Sequence, residues 1–291
     1  MKTKLLWLQG LACNGNTHSF LNYHALDRFL ESFEFIHHPV IDSEYSLEEI
    51  VAHYHECDIL LIEGAVADDF KRGGREIVDI IRMYAPRVKK IVTVGTCATF
   101  GGIFKDSPYP NSSGFLFLES EKVARFEMFS DKVVSLSGCP IHPDILADTL
   151  YLLKEEIALH FDAFHRPKEF FSYTVHNGCT RNEYFEYKVD NHNFGEKEGC
   201  MFYDHGCQAP FTHGSCNKIL WNEVNSKTRA GEPCHGCTEP HFPRPNLYTT
   251  KKNMGIPQYL PLDVPKRAYL TLSGVTKAFK ISRLEKRLLD E

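Results

Sequence analysis

Nine of the ten cysteines stand in company that suits metal chemistry. Three follow apolar runs and sit in or beside glycine turns. These are Cys13 in Gly10-Leu11-Ala12-Cys13-Asn14-Gly15-Asn16, Cys97 in Gly95-Thr96-Cys97-Ala98, and Cys139 in Ser137-Gly138-Cys139-Pro140. His176-Asn177-Gly178-Cys179 places an imidazole and a thiol three residues apart, able to reach one centre from a single turn. With Cys200 and Cys207 it makes a His-plus-three-Cys set. Cys216 and Cys234-His235-Gly236-Cys237 make a third set, of three thiolates. Zinc accepts mixed Cys and His ligands and would suit either of the last two sets alone. Three such sets in one chain fit iron–sulfur clusters better, because thiolate ligation is their rule and His can replace a Cys. Cys57, just before an apolar run, is left over and reads as an inert core residue.

The elements that must position these residues alternate in type. Residues 4–9, 58–63, 90–94 and 132–136 read as apolar strands, and 33–41 as an extended segment. Residues 17–30, 73–84 and 143–160 carry helical periodicity. Ser46 heads a further helix, with Glu49 three residues on completing a capping box. Strands alternating with helices imply an α/β fold, a parallel sheet covered on both faces. Ligands of open parallel sheets bind beyond the carboxyl ends of the strands. Cys13, Cys97 and Cys139 therefore meet at one edge although they are far apart in sequence. Glu63-Gly64-Ala65 ends at that edge too, and Glu63 serves there either at a subunit interface or in a simple cap or salt-bridge role. Residues 172–265 are rich in Gly, Pro, Asn, His and Cys and poor in period, and they hold six of the cysteines. Such a segment needs internal staples, which bound clusters supply. Two domains are expected, 1–165 and 166–291, the second closing with a short apolar strand at 269–272 and a basic tail.

Taken together, these residues resemble the small, electron-transferring subunit of nickel–iron hydrogenases. The resemblance covers about 6–278 and rests on specific signatures. They are Trp7-Leu8-Gln9-Gly10 with Cys13, Glu63-Gly64-Ala65, Gly95-Thr96-Cys97-Ala98, Gly138-Cys139-Pro140, the His176/Cys179 pair, Gly206-Cys207, and Pro233-Cys234-His235-Gly236-Cys237-Thr238-Glu239-Pro240. It implies a flavodoxin-like domain with a cluster proximal to the active site, followed by an irregular cysteine-rich iron–sulfur domain with medial and distal clusters. By the resemblance, Cys13, Cys97 and Cys139 bind the proximal cluster. Cys216, Cys234 and Cys237 bind the medial one. His176, Cys179, Cys200 and Cys207 bind the distal one, of 4Fe–4S type. The resemblance further implies that hydrogen is split at a nickel–iron centre in a separate large subunit, so that no catalytic residue is expected in this chain. It passes electrons to an external acceptor, a protein or the quinone pool, with hydrogen oxidation as the expected direction. The alternatives are a hydrogen-sensing version of the same heterodimer and an iron–sulfur subunit of a respiratory complex, which lacks the second domain. Higher oligomers of the heterodimer are expected.

The chain departs from the family pattern in three ways. The family has Cys-x-x-Cys at the proximal site, but here Asn16 fills the second position. A neutral amide is a weak donor beside thiolate. The proximal cluster is then 3Fe–4S, or 4Fe–4S with a non-cysteine ligand, for which Asp42 past the second strand is the alternative oxygen donor. The Cys200–Cys207 spacing is one residue wider than usual. Exported members carry a twin-arginine signal and some a membrane anchor, neither of which is seen here. Between Cys216 and Cys234 lie Asn217, Asn222, Glu223, Asn225, Lys227 and Glu232 but no further thiol, which points to 3Fe–4S at the medial site. Trp221 and Phe211 are expected to keep water from it.

Composition narrows the alternatives. Hydrophobic residues make up 43% and charged residues 24% of the chain, as in globular proteins. The net charge of −5, from 33 Lys+Arg against 38 Asp+Glu, argues against a nucleic-acid binder. No Gly-x-Gly-x-x-Gly turn follows the first strand, so no flavin or nucleotide is expected at the sheet edge. No apolar run approaches the length of a membrane helix. The start reads as a strand and not a secretory signal, which sets the expectation of a cytoplasmic protein. The basic tail (Lys277, Lys280, Arg283, Lys286, Arg287) suits an acidic partner or a peripheral contact with an anionic membrane.

Overall fold

The computed structural model describes residues 2–248 and Thr271. Five parallel strands form its sheet: β1 (Thr3–Gln9), β2 (Phe33–His37), β3 (Ile59–Glu63), β4 (Lys90–Val94) and β5 (Val133–Leu136). Their order is β2-β1-β3-β4-β5, the flavodoxin-like order. Every residue of β3 is buried, as expected of a central strand covered on both faces. Alternate residues feed two cores. Leu6, Leu8, Leu60 and Ile62 face one, and Leu5, Trp7, Leu61, Val92 and Val94 face the other.

Register sets up the site. Gln9 pairs with Glu63, Glu63 with Val94, and Val94 with Leu136. Four strands therefore end level, and the chain that leaves each one starts from the same edge.

Helices α1 (Gly15–Leu21), α2 (Leu26–Ser32), α3 (Leu47–Ala52), α4 (Ile77–Tyr84), α5 (Thr96–Phe100) and α6 (Pro143–Lys154) connect the strands. Ser46 and Glu49 make the expected capping box on α3. Three expected elements come out shorter. The helix of 17–30 is two helices, because the Asn22 N–H turns back to Ser19 O and closes α1. The helix of 73–84 starts at Ile77, since Lys71–Arg72 pairs with Arg75–Glu76 as a hairpin. The helix of 143–160 stops at Lys154, where Glu156 takes a left-handed conformation (φ 54°).

The extended segment of 33–41 also ends early, at His37. Nδ1 of buried His38 accepts from the Val40 and Ile41 N–H groups at 3.2 and 2.9 Å and bends the chain. Burial, then neighbouring His37, hold the His38 pKa down, from 6.5 to about 3. A neutral histidine in the fold must gain a proton on unfolding in acid. Its stabilisation is therefore complete above about pH 6.5 and falls by at most about 1.4 kcal/mol per unit as the pH drops towards 3. Between about pH 6 and 4 the thermal midpoint of the wild type should fall more steeply than that of His38→Gln. Parallel slopes would exclude this role.

After α6 regular structure thins to α7 (Lys168–Phe171), α8 (Asn182–Tyr187) and α9 (Phe202–His205). The small core there is built from Val175, Met201 and Phe202 together with Cys200, Cys207 and Cys234 themselves. The strand expected at 269–272 lies outside the described residues apart from Thr271, which is helical, and the basic tail lies wholly outside them.

Candidate metal centres

Glu63 organises the sheet edge. Its carboxylate is 1% exposed and accepts five hydrogen bonds. Oε1 takes the Asn16 and Thr17 N–H groups at 3.0 and 3.2 Å. Oε2 takes Trp7 Nε1–H and Gln9 Nε2–H, both at 3.1 Å, and the Thr17 hydroxyl. Helix α1 begins at left-handed Asn14 and has no side-chain cap of its own, so Glu63 caps it from β3. The cap reading of Glu63 is the one the geometry supports. Arg72 adds bonds to Gln9 O and Gly10 O, holding the turn that carries Cys13.

Asn16 is buried within that turn. Its Nδ2 donates to Val94 O at 3.3 Å and its Oδ1 accepts from Ile141 N at 2.9 Å. One amide thus ties the end of β4 to the segment just past Cys139. Gly95 is what lets it in: a Cβ there would lie 2.4 Å from Asn16 Nδ2. Cys13 and Cys139 are exposed as residues and Cys97, inside α5, is buried. Burial, and after it neighbours that include the Cys13 thiol, push Cys97 up to about 11. Packing round the Cys139 thiol, then Cys237, Cys97 and Cys13, push it up to about 12 although the residue is open on one side. The three cysteines lie within electrostatic reach of one another, Cys13 acting on Cys97 and both acting on Cys139. Asp42 is exposed on the loop after edge strand β2, away from the ends of β4 and β5, and makes no hydrogen bond or ion pair with a described residue.

A cavity of about 420 Å³ opens between the end of β5 and the irregular segment. Cys139, Cys216, Cys234 and Cys237 line it, along with His142, Trp221, Lys227 and His235. Burial, then Cys237, push the Cys216 thiol up to about 12. Trp221 covers His142 at 4.6 Å between ring centroids. Phe211 does not shield this cavity: it is 53% exposed and packs on Phe202. Asn217 is spent on structure, donating to Val175 O and accepting from Ser226 and Thr228.

His176, Cys179, Cys200 and Cys207 line a third, tighter space. The extra residue between Cys200 and Cys207 is absorbed by α9, which ends at left-handed Gly206 (φ 68°) and returns Cys207 N–H to Met201 O. Burial, with Cys207 and Cys179 nearby, pushes Cys200 up to about 11. The Arg181 N–H points at Cys179 Sγ at 3.4 Å. Cys57 sits apart in the core, its thiol pushed up to about 12 by burial.

The three sets are joined by short contacts. Thr96, beside Cys97, donates to Cys237 O, and Ser137 donates to Thr238 O at 2.8 Å. The Cys234 N–H donates to Cys207 Sγ at 3.3 Å. Buried thiols with raised pKa values become thiolates only beside strong positive charge, which a metal centre provides. Around one zinc ion, sulfurs at 2.3 Å from the metal lie roughly 3.8 Å apart. Among the described residues no three His, Cys, Asp or Glu side chains are close enough to share one ion. The thiolate-rich donor sets suit iron–sulfur clusters by chemical type, since thiolate ligation is their rule and His can replace a Cys.

Comparison with known proteins agrees. The family described as NADH ubiquinone oxidoreductase, 20 Kd subunit, matches residues 13–153. The C-terminal family of the NiFe/NiFeSe hydrogenase small subunit matches residues 171–249. The chain is 31% identical over 259 residues to the periplasmic [NiFe] hydrogenase small subunit 1 of Nitratidesulfovibrio vulgaris, covering 83% of this chain and 80% of that one. It is 30% identical over 307 residues to the F420 non-reducing hydrogenase II small subunit of Methanosarcina mazei, covering 88% and 78%. It superposes on the [NiFeSe]-hydrogenase of Dm. baculatum with a TM-score of 0.71 at 25% identity, covering 86% of this chain and all of that one. The chain belongs to the small-subunit family of nickel–iron hydrogenases. Small subunits of this family carry iron–sulfur clusters and pair with a large subunit that holds the catalytic centre. A respiratory subunit would account for 13–153 but not for 171–249. The expectation of a cytoplasmic protein is corrected: relatives from Nitratidesulfovibrio vulgaris and Desulfomicrobium baculatum are periplasmic subunits. A strand at the start of a chain says nothing about where the subunit is carried.

Proposed function

We propose that the chain relays electrons through three iron–sulfur clusters, from the nickel–iron centre of its large subunit to an external acceptor, in the direction of hydrogen oxidation. The observation that carries this is the pair of hydrogen bonds between neighbouring cysteine sets, from Thr96, next to Cys97, to Cys237 O and from the Cys234 N–H to Cys207 Sγ. Relatives named uptake hydrogenase small subunits, such as that of Afipia carboxidovorans at 28% identity, favour the direction. Relatives named periplasmic favour a periplasmic site of action. The acceptor is a protein or the quinone pool.

The exposed face of Cys13 and Cys139 is where the large subunit covers the proximal centre. That centre is held by Cys13, Cys97 and Cys139. It is 3Fe–4S, or 4Fe–4S with a non-cysteine ligand other than Asn16 and Asp42, since Asn16 Oδ1 already accepts from Ile141 N and Asp42 is exposed past edge strand β2. Cys216, Cys234 and Cys237 hold a medial 3Fe–4S cluster, and His176, Cys179, Cys200 and Cys207 a distal 4Fe–4S cluster. The division near residue 165 separates the proximal domain from the other two sites, and the two family matches fall on either side of it. When bound, each cluster takes up and gives back one electron at a time. The protein holds the thiolates rigid, aims N–H groups at sulfur, and excludes water with Trp221 and the surrounding packing.

Metal analysis of the purified heterodimer tests the reading. About 10 or 11 irons are expected in this subunit, with the oxidised protein showing a 3Fe–4S resonance. Stoichiometric zinc with no iron in this subunit would refute it.

A further inference from the structure

Lys227 reaches the wall of the cavity that Cys139, Cys216, Cys234 and Cys237 surround, and its Nζ lies 3.1 Å from His235 Nδ1. With an ammonium donating to Nδ1, the ring proton of His235 sits on Nε2. Nε2 is buried and has no hydrogen-bond partner among the described residues. A buried donor left unpaired is costly, so it marks a place where an acceptor belongs. His235 lies between Cys234 and Cys237 in sequence, and its ring meets Tyr248 edge-on at 5.2 Å.

We propose that Lys227 and His235 act as a pair that raises the reduction potential of the medial centre. The inference rests on the medial assignment above. Reduction adds one electron, and so one negative charge, with no bond made or broken. An ammonium beside the site favours the reduced form, and an N–H donor in the wall does the same. The Cys139, Cys216 and Cys237 thiols all feel the Lys227 charge. Glu232 lines the same cavity and Glu239 acts on Cys237 with the opposite sign, while Arg244 faces His235. His235 is the positioning residue: its Nδ1 keeps the flexible lysine on the cavity and not out in solvent.

The test is a potentiometric titration of the medial resonance in the intact heterodimer, with iron counted on the same samples. Lys227→Met should lower the midpoint, so that at a fixed potential the reduced-to-oxidised ratio falls about tenfold, ~59 mV for one electron. Lys227→Arg should keep it near the wild-type value. His235→Phe should move it in the same direction as Lys227→Met, and the double variant should shift less than the sum, as for residues acting together. If Lys227→Met fails to assemble, Lys227→Gln replaces it. An unchanged midpoint at wild-type iron content overturns the pair. A wild-type protein with no medial resonance removes the assignment beneath it and the inference as well.

Discussion

Glu63→Ala should lower the thermal midpoint of the protein by roughly 10 °C and empty the proximal site. The substitution leaves the Trp7, Gln9, Asn16 and Thr17 donors without their acceptor inside the fold. Each orphaned buried donor costs ~1–3 kcal/mol, offset in part by entering water, and breaking a buried network costs about 4 kcal/mol. In a chain of this size 1 kcal/mol moves the midpoint by roughly 2–4 °C. Helix α1 also loses the cap that aims Cys13. Glu63→Gln keeps the volume but turns one acceptor into a donor facing other donors, and should cost about half as much. Calorimetry with iron analysis decides the matter. A shift under about 2 °C with full iron would show that Glu63 does not organise the edge.

Asn16→Cys should convert the proximal site into a four-thiolate one, with a 4Fe–4S cluster of lower midpoint. Thiolate is a stronger donor to iron than any oxygen left to this site. The same change frees the Val94 carbonyl and the Ile141 N–H, at a cost of about 1–3 kcal/mol in stability. Asn16→Ala separates the two effects. It loses both hydrogen bonds yet leaves the three cysteines, so it should match Asn16→Cys in stability loss but keep the original cluster type. Asp42→Asn should leave the proximal iron unchanged, because Asp42 is exposed on the loop past edge strand β2, away from the ends of β4 and β5. The proximal resonance and its potential in the three variants are the readouts. If Asn16→Cys leaves both unchanged, the fourth position is not at residue 16.

The cysteine sets are legible in the sequence because their chemistry tolerates little else. A thiol just past a strand, next to glycine, has few structural uses. The strands themselves announce the fold, since buried runs such as 59–62 carry no polar interruption. What stays hidden is direction. A glutamate at a strand end looks the same whether it faces a partner or folds back to cap α1, and only the level strand ends send Glu63 inward. Asn16 reads as a missing ligand, whereas its amide is a two-sided clamp whose partners lie 78 and 125 residues away. Periodicity overruns a helix end where a left-handed residue such as Glu156 stops the helix without glycine or proline to mark it. Nearness in sequence puts Phe211 beside the medial set, and the fold carries it elsewhere. The Lys227–His235 contact joins two residues of ordinary type eight positions apart, and no spacing rule singles it out.

The Cys234 N–H on Cys207 Sγ makes one peptide group serve two centres. On the proposed assignment, an electron arriving at the distal cluster strengthens that hydrogen bond and draws the peptide dipole towards it. The medial cluster then senses its neighbour's oxidation state through its own ligand. The two should titrate as an anti-cooperative couple, each harder to reduce once the other is filled, so that two single-electron curves with fixed midpoints would describe them poorly. Such mutual exclusion spaces charges along the relay and makes forward traffic depend on how quickly the acceptor empties the last station.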